Sequence, residues 1–288
     1  AKLEIYTLPR YYWYAFGRQD NFVVTIRNDD SVSQYNIEAI NVFDEFEAKK
    51  DEILNAQQKL NIFNNTAYLN PGHFSGDEKN YQQFIDQSFG TINEGSIKNL
   101  IIDLRNNGGG NDSFSDYLVA YIANKPFRWN STFSLRTSEL LKKDTKENRD
   151  ITQPYWHSII SNKTGERYKF QFEKFQPMPE KKRFKGSVFV LINRHSHSQA
   201  AVTAAQIQDY GWATIVGEET GDYPSLYASQ FQYALPITNI VVKISKGNIV
   251  RVSGNKEPKG VIPNINMKDH LLDENDEILM QLLQRLSD

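Results

Sequence analysis

Three short apolar runs stand out against a polar background: Asn99-Leu100-Ile101-Ile102-Asp103-Leu104, Ser187 to Ile192 (SVFVLI), and Ala213-Thr214-Ile215-Val216. Uninterrupted runs of this length predict strands buried on both faces, as in a parallel sheet. Each ends in turn-forming residues, and the second leads into helical material, Gln199 to Asp209. Asp77 to Gly90 predicts an amphipathic helix with Tyr81, Phe84, Ile85 and Phe89 on one side. Ser113 is placed to cap a helix running to about Ala123, and Asp273 to Leu286 reads as a terminal amphipathic helix. Strand, loop and helix in alternation predict an open α/β sheet covered by helices.

The flanking segments read differently. Phe22 to Arg27 and Tyr35 to Ile40, separated by Asn28-Asp29-Asp30-Ser31, predict a hairpin. A charged helix is expected from about Val42 to Leu60, and residues 1–62 are read as a small accessory unit before a catalytic unit at 63–288. Ala67-Tyr68-Leu69 is a short strand broken by Asn70-Pro71-Gly72. Arg136 to Lys174 is a polar excursion with Arg167 to Phe172 extended, and two later segments, Ile240 to Ile244 and Ile249 to Val252, have strand character. The aromatic run Tyr11 to Phe16 is read as core or interface. Lys181-Lys182-Arg183 is read as a solvated face.

Composition narrows the classes. The 288 residues carry 33 basic against 35 acidic side chains, a net charge of −2, which gives no basic surplus for nucleic acid. No apolar run approaches the ~20 residues of a membrane span. There is no cysteine, which removes disulfides, thiol catalysis and zinc–thiolate sites. The chain starts at Ala1 with no signal-like segment, as a processed product or expressed fragment would.

Chemistry is expected in loops at the carboxyl ends of the buried strands. Gly108-Gly109-Gly110 invites close backbone approach to a ligand, though it has neither dinucleotide-binding nor Walker spacing. Asn193-Arg194-His195-Ser196-His197-Ser198-Gln199 sets serines between a buried strand and a small-residue helix. A hydroxyl presented there has the logic of a nucleophile elbow, with the plainer reading of Ser196 or Ser198 as a helix cap beside it. His195 and His197 without a third ligand are weak evidence for a metal site. Asp103 and Arg105 read as a structural pair, and the adjacent Glu218 and Glu219 point apart, unlike a glycosidase pair.

Together LIIDLRNNGGG (100–110), GSVFVLINRHSHSQAA (186–201), ATIVGEETG (213–221) and GVIPNI (260–265) resemble the tail-specific, or C-terminal-processing, serine peptidase family, of which the tricorn core protease is a member. The resemblance covers roughly residues 66–268. It implies a crotonase-like (ClpP-related) α/β peptidase domain that needs no cofactor. Ser198 matches the nucleophile, Gln199 would supply one oxyanion amide, and Gly109 or Gly110 the other. A protein or peptide substrate is implied, as is a periplasmic, cell-surface or secreted location.

The proton acceptor departs from the family pattern. The lysine that many members carry 25 positions after the serine is Tyr223 here, and no Asp-x-His segment of the tricorn type is present. Glu257 loosely matches that branch's distant glutamate, the usual aspartate after Pro263 is Asn264, and His73 is read as a surface turn residue more readily than a site residue. A base carried on an upstream segment is the favoured expectation. The competing class is an inactive peptidase fold that binds peptide or an apolar ligand.

Overall fold

The computed structural model describes residues 8–28, 31–40, 56–269 and 275–287. The chain divides into two units, Ala1–Gln57 and Gln58–Asp288. The expected helix from Val42 falls largely outside the described residues; at its far end Lys59 and Leu60 are already strand.

In the first unit, helix α1 (Leu8–Phe16) precedes an antiparallel hairpin, β1 (Asn21–Asn28) and β2 (Ser31–Glu38), paired Asn21 to Glu38 through Asn28 to Ser31. Tyr12 packs edge-on against Phe22 at 5.2 Å. Tyr11, Trp13, Tyr14 and Phe16 are exposed, so the aromatic run is not core.

The second unit is built on a six-stranded sheet: β3 (Lys59–Phe63), β4 (Thr66–Asn70), β5 (Asn99–Asp103), β8 (Ser187–Ile192), β9 (Thr214–Gly217) and β12 (Ile265–Asn266). Only β3 is antiparallel to its neighbour. The strands lie side by side in chain order, so the sheet grows in one direction. Right-handed crossovers then place the connecting helices on a single face. These are α2 (Glu78–Glu94), α3 (Asp112–Ala120) and α6 (Gln199–Tyr210), which pack into one core with Leu69, Leu100, Ile102, Val190 and Ile215. The other face, through Tyr68, Ile101, Leu191 and Val216, is covered by Ile278 and Leu282 of α7 (Glu277–Ser287).

Helix starts follow local chemistry. Asp77 caps α2 by accepting from the Asn80 N–H at 2.8 Å. For α3 the cap position is Asn111 rather than Ser113, because the chain turns helical as soon as it leaves the glycines.

The polar excursion holds more regular structure than its composition suggests. A second sheet, ordered β10-β11-β6-β7, is wholly antiparallel: β6 (Thr132–Arg136), β7 (Arg167–Phe170), β10 (Tyr227–Ala234) and β11 (Val241–Val250). Helices α4 (Glu139–Asn148) and α5 (Pro154–Ser161) lie between β6 and β7 in the chain. The two late apolar segments are one strand, β11. Its polar middle survives because the ring of Phe133 fills the space where a Gly247 side chain would stand, and Lys246 reaches the Ser229 carbonyl at 2.9 Å.

Candidate active site

Because β4, β5, β8 and β9 are parallel neighbours, the loops after them converge at one edge of the sheet. These are residues 71–74, 105–111, 193–198 and 218–223. The glycine loop and the serine turn touch directly: a Cβ on Gly109 would stand 2.7 Å from the Gln199 nitrogen and 2.8 Å from the Ser198 Cβ. A Cβ on Gly110 would fall 1.9 Å from the Phe74 carbonyl oxygen. The glycines are thus required by contact on both sides, and Gly109 and Gly110 also have φ of +89° and +140°.

The two serines of the turn separate cleanly. Ser196 is fully buried, with its hydroxyl donating to the Leu104 carbonyl at 2.8 Å and accepting from the Asn193 N–H at 3.1 Å. Ser198 is half-buried, at φ 50° and ψ −121°, in a region costly for any residue with a side chain. It occupies the N-cap position of α6 without capping, and its hydroxyl makes no hydrogen bond among the described residues. The cap reading therefore does not describe Ser198.

The amides sort in the same way. Gly108 donates to His73 Nδ1 at 3.1 Å and Gly109 to Asn107 Oδ1 at 2.8 Å. Among the described residues no hydrogen bond takes the N–H of Gly110 or of Gln199, the first residue of α6. The Gln199 side chain is held by Ser115 at 2.9 Å.

Asn107 was not singled out from the sequence, yet it links the site. Its side chain donates to the Gly72 carbonyl at 2.7 Å and accepts from Gly109, and its carbonyl accepts from the His197 N–H at 3.0 Å. An Asn two residues before a Gly in a turn is the available signal, since Asn bonds to backbone two residues ahead. His73, expected at the surface, instead lies half-buried against the glycine loop.

Glu257 makes local contacts. It is exposed, in a turn with Asn255, with its carboxylate 3.7 Å from Lys259. What the neighbouring segment does is structural: Glu219 accepts from the Gly260 N–H and Thr220 from Val261, both at 2.8 Å, which fastens 260–261 to the loop after β9. Asn264 exchanges hydrogen bonds with Ile215 at 2.8 and 2.9 Å. Among the described residues no group of three or more His, Cys, Asp or Glu could hold a metal ion.

Beneath the glycine loop Arg105 grips Asp103 on β5 at 2.6 Å and Asp276, just before α7, at 2.6 and 2.7 Å. The Tyr68 hydroxyl donates to Asp103 at 2.7 Å. Burial alone would lower the Arg105 guanidinium, but the two carboxylates outweigh it and hold it well above its usual value. Burial would likewise raise Asp276, and Arg105 outweighs it, so that carboxyl sits below its ordinary range. Burial, with Asp112 nearby, pushes Asp116 of α3 up to about 8.

The sequence profile of peptidase family S41 matches residues 65–267, and the chain belongs to that family of serine peptidases. The fold is shared with mature CPAF in complex with lactacystin (TM-score 0.59, 15% identity, 86% of this chain and 63% of that one). It is also shared with a protein from Parabacteroides merdae assigned as a peptidase (TM-score 0.55, 18%, 92% and 77%). The photosystem II D1 C-terminal processing protease aligns at TM-score 0.50 and 14% identity, over 93% of this chain and 61% of that one. No curated protein matches the chain. Among the described residues no helix is long and apolar enough to cross a membrane.

Proposed function

We propose that this chain cleaves peptide bonds through an acyl-enzyme on Ser198, with 58–288 as the catalytic unit and the first unit as accessory. The carrying observation is the backbone of Ser198: a serine held at φ 50° between a buried strand and a helix, its hydroxyl neither capping nor otherwise bonded among the described residues. Such a turn exposes Oγ to a carbonyl carbon and leaves the next amide to receive the oxyanion. The donors assigned are the N–H groups of Gln199 and Gly110. Gly109 serves by letting the loop approach, since its own N–H is engaged by Asn107.

Oγ attacks the scissile carbonyl, its proton passes to a base, the amine leaves with a proton, and water then releases the acyl group. His73 is not assigned that role, because its Nδ1 accepts the Gly108 N–H in the geometry described. The substrate is a protein or peptide, and an exported location accords with the family likeness.

The test is labelling with a serine-directed fluorophosphonate. Labelling of the folded chain that disappears in Ser198→Ala, and persists in His73→Ala, supports the assignment. Labelling that survives Ser198→Ala overturns it. Folded protein that never labels, neither as this chain nor in a form extended upstream, yet binds extended peptides, belongs to the binding class instead.

A further inference from the structure

The loop after β9 delivers one carboxylate to the serine turn. Asp222 Oδ2 accepts the Ser198 N–H at 3.0 Å. The contact spans 24 positions of sequence and comes from a different strand end. The loop is held tightly against the turn: a Cβ on Gly221 would lie 2.0 Å from the Arg194 carbonyl oxygen and 2.8 Å from the His197 ring. Thr220 closes the loop on itself by donating to the Asp222 carbonyl at 2.8 Å, while its hydroxyl accepts from Val261. The same Asp222 oxygen stands 3.9 Å from His197 Nδ1, on a buried ring whose nitrogens make no hydrogen bond among the described residues.

We infer that Asp222 is a positioning residue for Ser198: its carboxylate accepts the serine's own N–H and so holds the peptide plane that gives Ser198 its positive φ. The inference rests on the reading of Ser198 as nucleophile for its catalytic consequence, but not for its structural content. A residue with a side chain at φ 50°, ψ −121° stays there only when its surroundings over-determine it. On one side the Gly109 backbone is packed against the Ser198 Cβ, and on the other Asp222 fixes the amide. A hydrogen bond to an ionised acceptor is among the stronger ones available to a turn. The next amide, that of Gln199, has no acceptor among the described residues. The role needs an acceptor oxygen, and an amide side chain supplies one of the same reach without the charge.

Asp222→Ala and Asp222→Asn separate this from a role of the charge itself. In Asp222→Ala the fluorophosphonate labelling rate of Ser198 is expected to fall by ~10- to 100-fold, the worth of a hydrogen bond to a charged acceptor. In Asp222→Asn it is expected to stay above that of Asp222→Ala and within ~10-fold of the parent. Hydrogen exchange of the Ser198 amide is read alongside: protection should be lost in the alanine variant, kept in the asparagine variant, and unchanged at core amides of β5 and β8 in both.

Parent-like protection in Asp222→Ala overturns the inference. So does labelling that fails in Asp222→Asn while its Ser198 amide stays protected, because the charge, not the acceptor, would then be what matters. If the parent itself does not label, the exchange data alone decide whether Asp222 holds the turn.

Discussion

Two loops leave neighbouring strands at the same edge of the sheet and are stabilised in opposite ways. The base of the loop after β5 is over-supplied with partners: Arg105 makes paired bonds to Asp103 and Asp276, and Tyr68 completes the cluster. The turn after β8 has a serine in a costly conformation, a hydroxyl with no partner among the described residues, and support from glycine contacts and one carboxylate. The first arrangement maximises satisfied charge. The second spends stability to present a group outward, as functional positions do. They join where Ser196, fully bonded, anchors the β8 turn to the Leu104 carbonyl two residues before Ser198.

The largest expected effect is on the over-supplied side. Arg105→Ala strands two carboxylates against the sheet and should cost about 3–5 kcal/mol in denaturant unfolding. Asp276 adds a pH signature. Its carboxyl is held below its usual 3.8, so its contribution is fully present above that value and is lost as pH falls through the lower folded value. In Asp276→Asn this part of the acid limb should disappear from a plot of stability against pH.

Next is the contact between the loops. Gly110→Ala places a methyl group on the Phe74 carbonyl at a positive φ and should lose ~2 kcal/mol or more. Thermal unfolding measures it, and an unchanged midpoint would mean that the loops are not packed as described.

The serine turn should respond in the opposite sense. Ser198→Gly relieves the strained φ and is expected to raise stability by about 1 kcal/mol while abolishing fluorophosphonate labelling. A destabilised Ser198→Gly would remove the contrast between the two loops.

The last effect is read against pH and lies between the helices that the loops lead into. Asp116 on α3 faces Gln206 on α6, and its carboxyl is pushed up to about 8 by burial. A raised folded value means that the native state holds the extra proton. Stability therefore falls as pH rises from about 4 through about 8. Asp116→Asn should remove that decline between about pH 4 and 8, so that the variant gains on the parent as pH rises, checked by urea titration at pH 4, 6 and 8.

Legibility followed the physics of each element. β5, β8 and β9 were readable because strands buried on both faces must be apolar throughout. β11 was split in two because its polar middle is accommodated by the Phe133 ring over Gly247 and by the long Lys246 stem, both contacts distant in sequence. At the site, Ser198 and the glycines were legible as residue types in a turn. Asn107, His73 and Asp222 were not read in their places, because each acts through a backbone atom on another strand's loop. Glu257, placed by family pattern, lies in an exposed turn that local bonds to Asn255 and Lys259 are enough to form.

The sequence by itself determined the buried strands, the breaks at their ends and the residue types that face one another across them, since burial and turn chemistry are local demands. Tertiary structure decided which of two serines is strained and which is bonded, which glycine amide stays unengaged, and which carboxylate reaches the turn. Those outcomes depend on the parallel register of four strands, and register is fixed by packing along the whole sheet rather than by any loop's own residues.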